Sequence, residues 1–241
     1  LSIMNMSFGD IEITTVNNSE GGIGFYSPNL MNISLSYAQI FSNSIYGGMT
    51  VKMISEQTSN MGASGIALDA GIQYVTGSKD NLKFGISLKN VGPRISFTGD
   101  GLSFRGIVGD GDDYKMSVEQ RSSELELPAL LNIGLSYDLN MGLRNRITGA
   151  GAFTSNSFQK DQYRLGGEYS YREMFMLRLG YTYEKGIRDP STRTTALRGP
   201  SGGFTIELPM GENKSTFGLD YSYRHTDPFQ GSHAIGLRIS L

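Results

Sequence analysis

Apolar side chains recur at every second position through segment after segment of this chain, and few folds can use that pattern. In 131–139, Leu131, Ile133, Leu135, Tyr137 and Leu139 share one face, opposite Asn132, Gly134, Ser136 and Asp138. The stretch 175–183 sets Phe175, Leu177, Leu179, Tyr181 and Tyr183 against Met176, Arg178, Gly180 and Thr182. Phe217, Leu219, Tyr221 and Tyr223 likewise oppose Gly218, Asp220, Ser222 and Arg224, and His233, Ile235, Leu237, Ile239 and Leu241 oppose Ala234, Gly236, Arg238 and Ser240. The alternation is clear again in 66–74 and 82–88, and looser in 31–41, 45–54, 146–154, 163–171 and 202–208. Successive side chains on a strand point to opposite faces, so each segment reads as a strand with one apolar and one polar or small face.

The connections carry a second pattern. Short turns are expected at 42–44, 76–81, 140–145, 172–173 and 209–214, alternating with longer or more polar loops near 57–64, 91–127, 155–161, 185–201 and 225–231. Up-and-down strands with trimmed ends on one side and elaborate ends on the other mark an outer-membrane barrel. About eleven strands of roughly ten residues follow residue 30, each long enough to cross a bilayer when tilted, and 1–16 can hold one or two more. No run approaches the roughly 18 apolar residues of a membrane helix. The mean hydropathy of −0.24 does not exclude a membrane barrel, whose strands average out to mild polarity because alternate residues face water.

The polar face carries Asp69, Asp138, Glu168, Asp220, Arg164, Arg178, Arg224 and Arg238 among glycines and serines. A charge facing lipid at the midplane costs about 2–4 kcal/mol, so these residues belong to an interior where they pair or meet water. Tyr137, Tyr169, Tyr171, Tyr181, Tyr183, Tyr221 and Tyr223 lie at or near strand ends, where an interfacial girdle places them. A soluble β-sandwich also alternates, with its polar face in solvent. It gives no reason for the regular strand length or the sorting of loops. The expected fold is therefore all-β: a transmembrane, antiparallel, up-and-down β-barrel in the bacterial outer membrane.

Composition removes other classes. Twenty-one Lys and Arg against 23 Asp and Glu give a net charge of −2, without the basic field of a nucleic-acid binder. The chain has no cysteine, hence no disulfide framework, thiolate metal site or thiol nucleophile. Leu1-Ser2-Ile3-Met4-Asn5-Met6 shows no basic region, apolar core or cleavage site of a leader, so the 241 residues are expected to begin inside a structural element of one barrel domain, as a fragment or a processed product.

Several phrases in order resemble a known family. Ile66-Ala67-Leu68-Asp69-Ala70-Gly71-Ile72-Gln73-Tyr74 is followed by Leu82-Lys83-Phe84-Gly85-Ile86-Ser87-Leu88-Lys89-Asn90-Val91-Gly92-Pro93. Then come Leu127-Pro128, Asn132-Ile133-Gly134-Leu135-Ser136-Tyr137, Gly167-Glu168-Tyr169 and Leu177-Arg178-Leu179-Gly180-Tyr181. This order, from about residue 30 to the C-terminus, resembles the PorV/PorQ family of outer-membrane proteins, a FadL-like barrel group associated with type IX secretion. The resemblance implies about fourteen strands when complete and an N-terminal segment entering the lumen, so that residues 1–241 are expected to be a single barrel domain lacking its N-terminal strands and lumen segment. It also implies a non-enzymatic part in secretion, either shuttling cargo that carries a C-terminal signal domain or holding attachment components at the surface. The implied partners are outer-membrane lipid, lipopolysaccharide and proteins of the translocon or attachment complex, with no nucleic acid. The family has no catalytic motif, so no catalytic, cofactor-binding or metal residue is expected, and no cofactor. The competing reading is a FadL-like transporter of hydrophobic small molecules, and a third is a structural barrel without cargo. A transporter should show an apolar pocket in the lumen and a side opening at a strand kink; a secretion component should show long loops offered to a protein and a lumen filled by polar side chains.

Four local features invite specific chemistry. Ser232 beside His233 suggests a nucleophile and base, but neighbours on a strand face opposite ways and cannot pair. Asp110-Gly111-Asp112-Asp113 offers oxygens for Ca²⁺ without the spacing of a calcium loop, and reads as a solvated acidic loop. The connection 91–127 carries Ile95, Phe97, Leu102, Phe104, Ile107 and Val108, enough to fold as a hairpin over the mouth or to dock a partner. Arg188, Arg193 and Arg198 share one extracellular loop, where they either meet lipopolysaccharide phosphates or stay solvated.

Overall fold

The alternating segments form strands. A computed structural model describes residues 1–107, 115–210, 215–227 and 230–240. The strands are β1 (Ser2–Ser7), β2 (Ile11–Glu12), β3 (Phe25–Tyr26), β4 (Asn29–Ser42), β5 (Ile45–Thr58), β6 (Met61–Thr76), β7 (Leu82–Val91), β8 (Ser103–Ile107) and β9 (Lys115–Glu119). They continue as β10 (Leu130–Met141), β11 (Asn145–Asn156), β12 (Gln162–Tyr171), β13 (Phe175–Glu184), β14 (Leu197–Met210), β15 (Ser215–Thr226) and β16 (Ser232–Ser240). Twelve of them join in one sheet in the order β1-β4-β5-β6-β7-β10-β11-β12-β13-β14-β15-β16. From β4 onward each strand lies beside the next long strand in sequence, the up-and-down connectivity expected. The eleven strands anticipated after residue 30 are β4–β7 and β10–β16, and β1, antiparallel to β4, comes from the N-terminal segment.

Contacts group the chain into two compact units. One comprises Leu1–Ala38, Gly48–Ala70 and Lys89–Pro128; the other comprises Gln39–Gly47, Gly71–Leu88 and Ala129–Leu241.

Burial is the reverse of that in a water-soluble protein. Among the described residues the largest fully buried side chains are Glu184, Thr154, Thr205 and Ser170, all polar. The buried apolar residues are Ala63, Ala67, Val75, Ile95 and Ile187, while Leu165 (70%), Leu179 (67%), Leu237 (71%) and Ile235 (76%) lie open. Each large apolar side chain left in water forgoes about 1.5–3 kcal/mol. Dozens of them on one face demand a hydrocarbon solvent, which excludes the soluble sandwich.

Register carries the two faces across the second unit. One row runs Leu135↔Gly151↔Leu165↔Tyr181↔Pro200 on the apolar side, and another runs Asp138↔Thr148↔Glu168↔Arg178↔Gly203 on the polar side. The period of 2 is thus kept in phase from β10 to β14. Tilted rings on the apolar side, such as Phe153–Tyr163 (5.2 Å between centroids) and Phe204–Tyr221 (5.4 Å), tie neighbouring strands.

Two connections depart from expectation. The strand β14 begins at Leu197, so 197–201, and Arg198 with it, belong to a strand and not to the loop expected over 185–201. The segment 57–64 is not a loop: β5 reaches Thr58, Ser59 and Asn60 make the turn, and β6 begins at Met61. Polar and small residues here mark strands continuing beyond the apolar belt, where no lipid-facing side chain is needed. Gly62 exchanges both backbone hydrogen bonds with Thr98, each 2.9 Å, so the extension is paired by the long connection itself.

That connection folds in part as the hairpin anticipated, β8 against β9. Ile95, 6% exposed, exchanges backbone hydrogen bonds with Leu125 at its base. Its start is pinned by polar contacts: Lys52 Nζ lies 2.5 Å from Asp69, Asn90 N–H donates to Asp69 (2.8 Å), and Asn90 Nδ2 donates to the Pro128 carbonyl (3.0 Å). Gly92 passes so close to β6 that a Cβ there would lie 2.3 Å from the Ile66 carbonyl oxygen. Asp110, Gly111, Asp112 and Asp113, together with Val108, lie outside the described residues.

Candidate functional site

The polar face of the second unit carries a continuous belt of ion pairs, placed there by the phase of the alternation. Lys83 on β7 meets Asp138 on β10 at 2.7 Å. Asp138 also accepts from the Thr148 hydroxyl (2.6 Å) and lies 3.5 Å from Arg146. Arg146 on β11 reaches Glu168 (2.9 Å) and, through two nitrogens, both oxygens of Glu173 in the β12–β13 turn (2.8 Å each). Glu168 takes Arg178 of β13 at 2.5 Å, and Arg178 donates to Thr205 Oγ1 (2.6 Å), whose hydroxyl donates to Asp220. At the far edge Arg238 pairs with Glu207 (2.8 Å), which also accepts from Thr216 (2.7 Å). Opposite charges alternate along the belt, so it is close to neutral, and its more enclosed carboxylates, Asp138 and Glu168, each meet two cations. In the turn, the bidentate Arg146 guanidinium holds the Glu173 carboxyl below the usual carboxylate range.

Above the belt the polar face is nearly bare. Ala150, Gly166, Gly180 and Ser201 occupy consecutive register positions across β11–β14 and project little. They floor a hollow of about 340 Å³, which Arg164, Thr182, Arg224 and His225 also line. A second hollow of about 610 Å³ shares that floor and extends down to Glu168, Arg178 and Asp220 of the belt.

The wall beside the first hollow is interrupted. The β13–β14 ladder stops at Tyr181↔Pro200, and the β14–β15 register slips between Leu197 and Ser201. Pro200 has no N–H to give to a ladder. Gly199 sits at φ +110, and a Cβ there would lie 2.7 Å from the Tyr181 ring, so only glycine suits the kink.

At the open end of these strands the connection 185–196 is strapped down. Glu184, fully buried, accepts from Thr194 N–H (3.2 Å), Thr194 Oγ1 (2.6 Å) and Gln162 Nε2 (3.2 Å). Lys160 donates to the carbonyls of Lys185 (2.8 Å) and Thr192. Arg198 (2.6 Å) and Arg193 (3.2 Å) both bind Asp227, and their guanidinium groups hold its carboxyl below the usual range. Arg193 and Arg198 are thus occupied within the chain, whereas Arg188 is exposed.

The structure separates Ser232 from His233 as strand geometry requires. Ser232 stands opposite Arg224 on the polar side, while His233 stands opposite Tyr223 and shares a 2.8 Å hydrogen bond with Tyr221. Among the described residues no group of three or more His, Cys, Asp or Glu is placed to hold a metal ion. The eight charged residues expected on the polar face are there, but sequence reasoning missed Lys83, Arg146 and Glu207, which complete the pairs. Their even or odd position relative to each strand's apolar set would have found them. Nothing local marked Glu184 and Gln162, which are buried by the strapped connection.

No family model and no curated protein matches this chain. Among solved structures it is similar to the P. putida toluene transporter TodX, with 12% identity and a TM-score of 0.54 over 98% of this chain and 75% of that one. It is also aligned with the COG4313 outer membrane channel from Pseudomonas putida F1, at 10% identity and a TM-score of 0.42, over 98% and 91% of the two chains. The strand order, the polar interior and the first likeness agree on one fold. The chain has an outer-membrane β-barrel fold, the one it shares with TodX. Its apolar face lies in the bacterial outer membrane, and the belt and hollows belong to the barrel's inner face.

Proposed function

We propose that the barrel passes small hydrophobic molecules across the outer membrane. The observation that carries this reading is the interrupted wall at Gly199–Pro200 beside a hollow floored by glycine, alanine and serine. A kink that ends one ladder and breaks the next weakens the barrier between bilayer and lumen, and the bare floor offers a passenger somewhere to go. The fold shared with a toluene transporter supports it. The role is one of passage, with no bond made or broken and no catalytic residue assigned.

The test is uptake of labelled toluene by porin-deficient cells expressing the full-length protein. Uptake should exceed that of cells without the barrel and fall to their level when Gly180→Trp fills the hollow. Uptake equal to that of barrel-free cells would refute the reading.

A second reading keeps the barrel as an accessory of type IX secretion, in the manner of the PorV/PorQ family. It is supported by the sequence resemblance and by the hairpin-bearing connection 92–129, which offers a folded surface to a protein. The lower lumen, crossed by the ion-pair belt, also suits a barrel that conducts nothing. Recovery of a translocon subunit or of cargo with a C-terminal sorting domain from solubilised membranes would favour it, and lipopolysaccharide would then contact the exposed Arg188.

A further inference from the structure

We infer that the upper hollow is a subsite for a small organic anion with a flat apolar body, gripped by Arg164 and Arg224. The inference rests on the channel reading and deepens it by naming the class of passenger.

Most cations on the polar face are neutralised by a neighbouring carboxylate. On the polar face of β10–β16 five arginines occur in phase: Arg146, Arg164, Arg178, Arg224 and Arg238. Three of them lie within 4 Å of a carboxylate. Arg164 and Arg224 have no carboxylate within that distance among the described residues, and both line the same hollow. The nearest acids on this face do not release them. Glu168 is shared by Arg146 and Arg178, and Asp220 accepts from Thr205 and approaches Arg178. Of the five arginines on this face, the two without a carboxylate partner therefore stand at one place. Both side chains are exposed to the hollow, and two guanidinium groups at one place attract an anion more strongly than either would alone.

Arg164 is also built in. Its Nη2 donates to Gln162 Oε1 (3.0 Å), and Gln162, 5% exposed, is itself held by the fully buried Glu184. The Glu184 carboxylate accepts from Gln162 and Thr194 and lies within 4 Å of no cation among the described residues, so it orients the glutamine that holds Arg164 without pairing with either guanidinium. A buried carboxylate and a buried amide thus fix one guanidinium at the rim, leaving its other donors for a ligand.

The rest of the hollow describes the body attached to the anion. Gly166, Gly180 and Ala150 present backbone and a single methyl, a low floor onto which a planar ring or short chain can lie. About 340 Å³ is at the small end of ligand pockets, which suits a one-ring carboxylate. Neutral hydrocarbons would use the same floor without the grip.

The experiment uses ¹⁹F NMR on the full-length barrel in detergent micelles, with 4-fluorobenzoate and neutral 4-fluorotoluene as probes and protein-free micelles as the reference. The expected result is that 4-fluorobenzoate binds and that Arg164→Gln with Arg224→Gln weakens it about tenfold or more, leaving 4-fluorotoluene unchanged. Arg238→Gln, outside the hollow, should leave both probes as they were. Should the double variant fail the heat-modifiable gel shift that reports a folded barrel, salt serves instead. Raising NaCl from about 20 mM to about 500 mM on the wild-type protein should then weaken the anion alone. Undiminished 4-fluorobenzoate binding in the folded double variant, or no salt effect, overturns the subsite. Binding of 4-fluorotoluene without 4-fluorobenzoate overturns the subsite and leaves the channel; binding of neither overturns both.

Discussion

Replacing Arg146 with methionine puts the ion-pair belt under direct load. The arginine side chain is 21% exposed and contacts Asp138, Glu168 and Glu173. Methionine keeps much of its length and apolar stem but none of its donors. Glu173, with 58% of its side chain exposed, returns to water at a cost of less than about 1 kcal/mol. Asp138 and Glu168 are more enclosed, at 10% and 18%, yet each keeps a second cation, Lys83 and Arg178 respectively. Orphaning a buried charge costs about 3–5 kcal/mol, and these two are only half orphaned, so the loss should be about 2–3 kcal/mol. Urea unfolding of the barrel in lipid vesicles, followed by the heat-modifiable gel shift, measures it. Glu168→Gln should cost less in the Arg146→Met background than in the wild type, because one of the two cations of Glu168 is then already gone. A loss below about 0.5 kcal/mol, or strict additivity of the two substitutions, would refute the view that the belt is an interacting network.

Leu165→Arg, on the lipid face, should destabilise the barrel by about 2–4 kcal/mol in the same assay, and an unaffected midpoint would contradict the assignment of faces. Gly199→Val meets both the positive φ and the Tyr181 ring, so it should cost at least about 1 kcal/mol and reshape the wall. Toluene uptake left unchanged by that substitution would count against passage at the kink. Asp227 has a folded-state pKa depressed by Arg198 and Arg193, so its contribution is present above the unfolded carboxylate value and is lost only as pH falls through the depressed one. Proteolysis within 185–196 should therefore be equally slow at pH 7 and pH 5 and accelerate only in stronger acid, while Asp227→Asn accelerates it at pH 7; acceleration already at pH 5 would refute the latch.

The sequence made the strands legible because a barrel wall in lipid repeats one demand at every second residue. Leu177, Leu179 and Tyr181 could hardly face anywhere but out once Arg178 had to face in. It was less informative wherever that demand lapses. Residues 57–64 looked like a loop because Gly62, Ala63 and Ser64 extend a strand beyond the bilayer, where nothing selects apolar side chains. The kink at Gly199–Pro200 looked like the end of the loop 185–201, because Gly and Pro break the alternation that marks a strand. The site was half visible: the charges on the inner face could be named, but which were spent on each other could not. Pairing depends on lateral register between β11, β12 and β13, which no single segment encodes. Arg164 and Arg178 look alike in sequence, and only the neighbour across the ladder distinguishes them.

The belt also bears on how the wall is assembled. A strand that slips by one residue turns its charges to the lipid and is rejected at once. A slip by two residues keeps every face correct, since one leucine or tyrosine replaces another on the outside, and hydrocarbon cannot detect the error. Inside, the same slip carries Arg178 off Glu168 and sets it against Gly166 or Ser170. The ion pairs thus act as proofreading for a mistake the membrane overlooks, a reason for a barrel to keep charges in its interior even where nothing passes them.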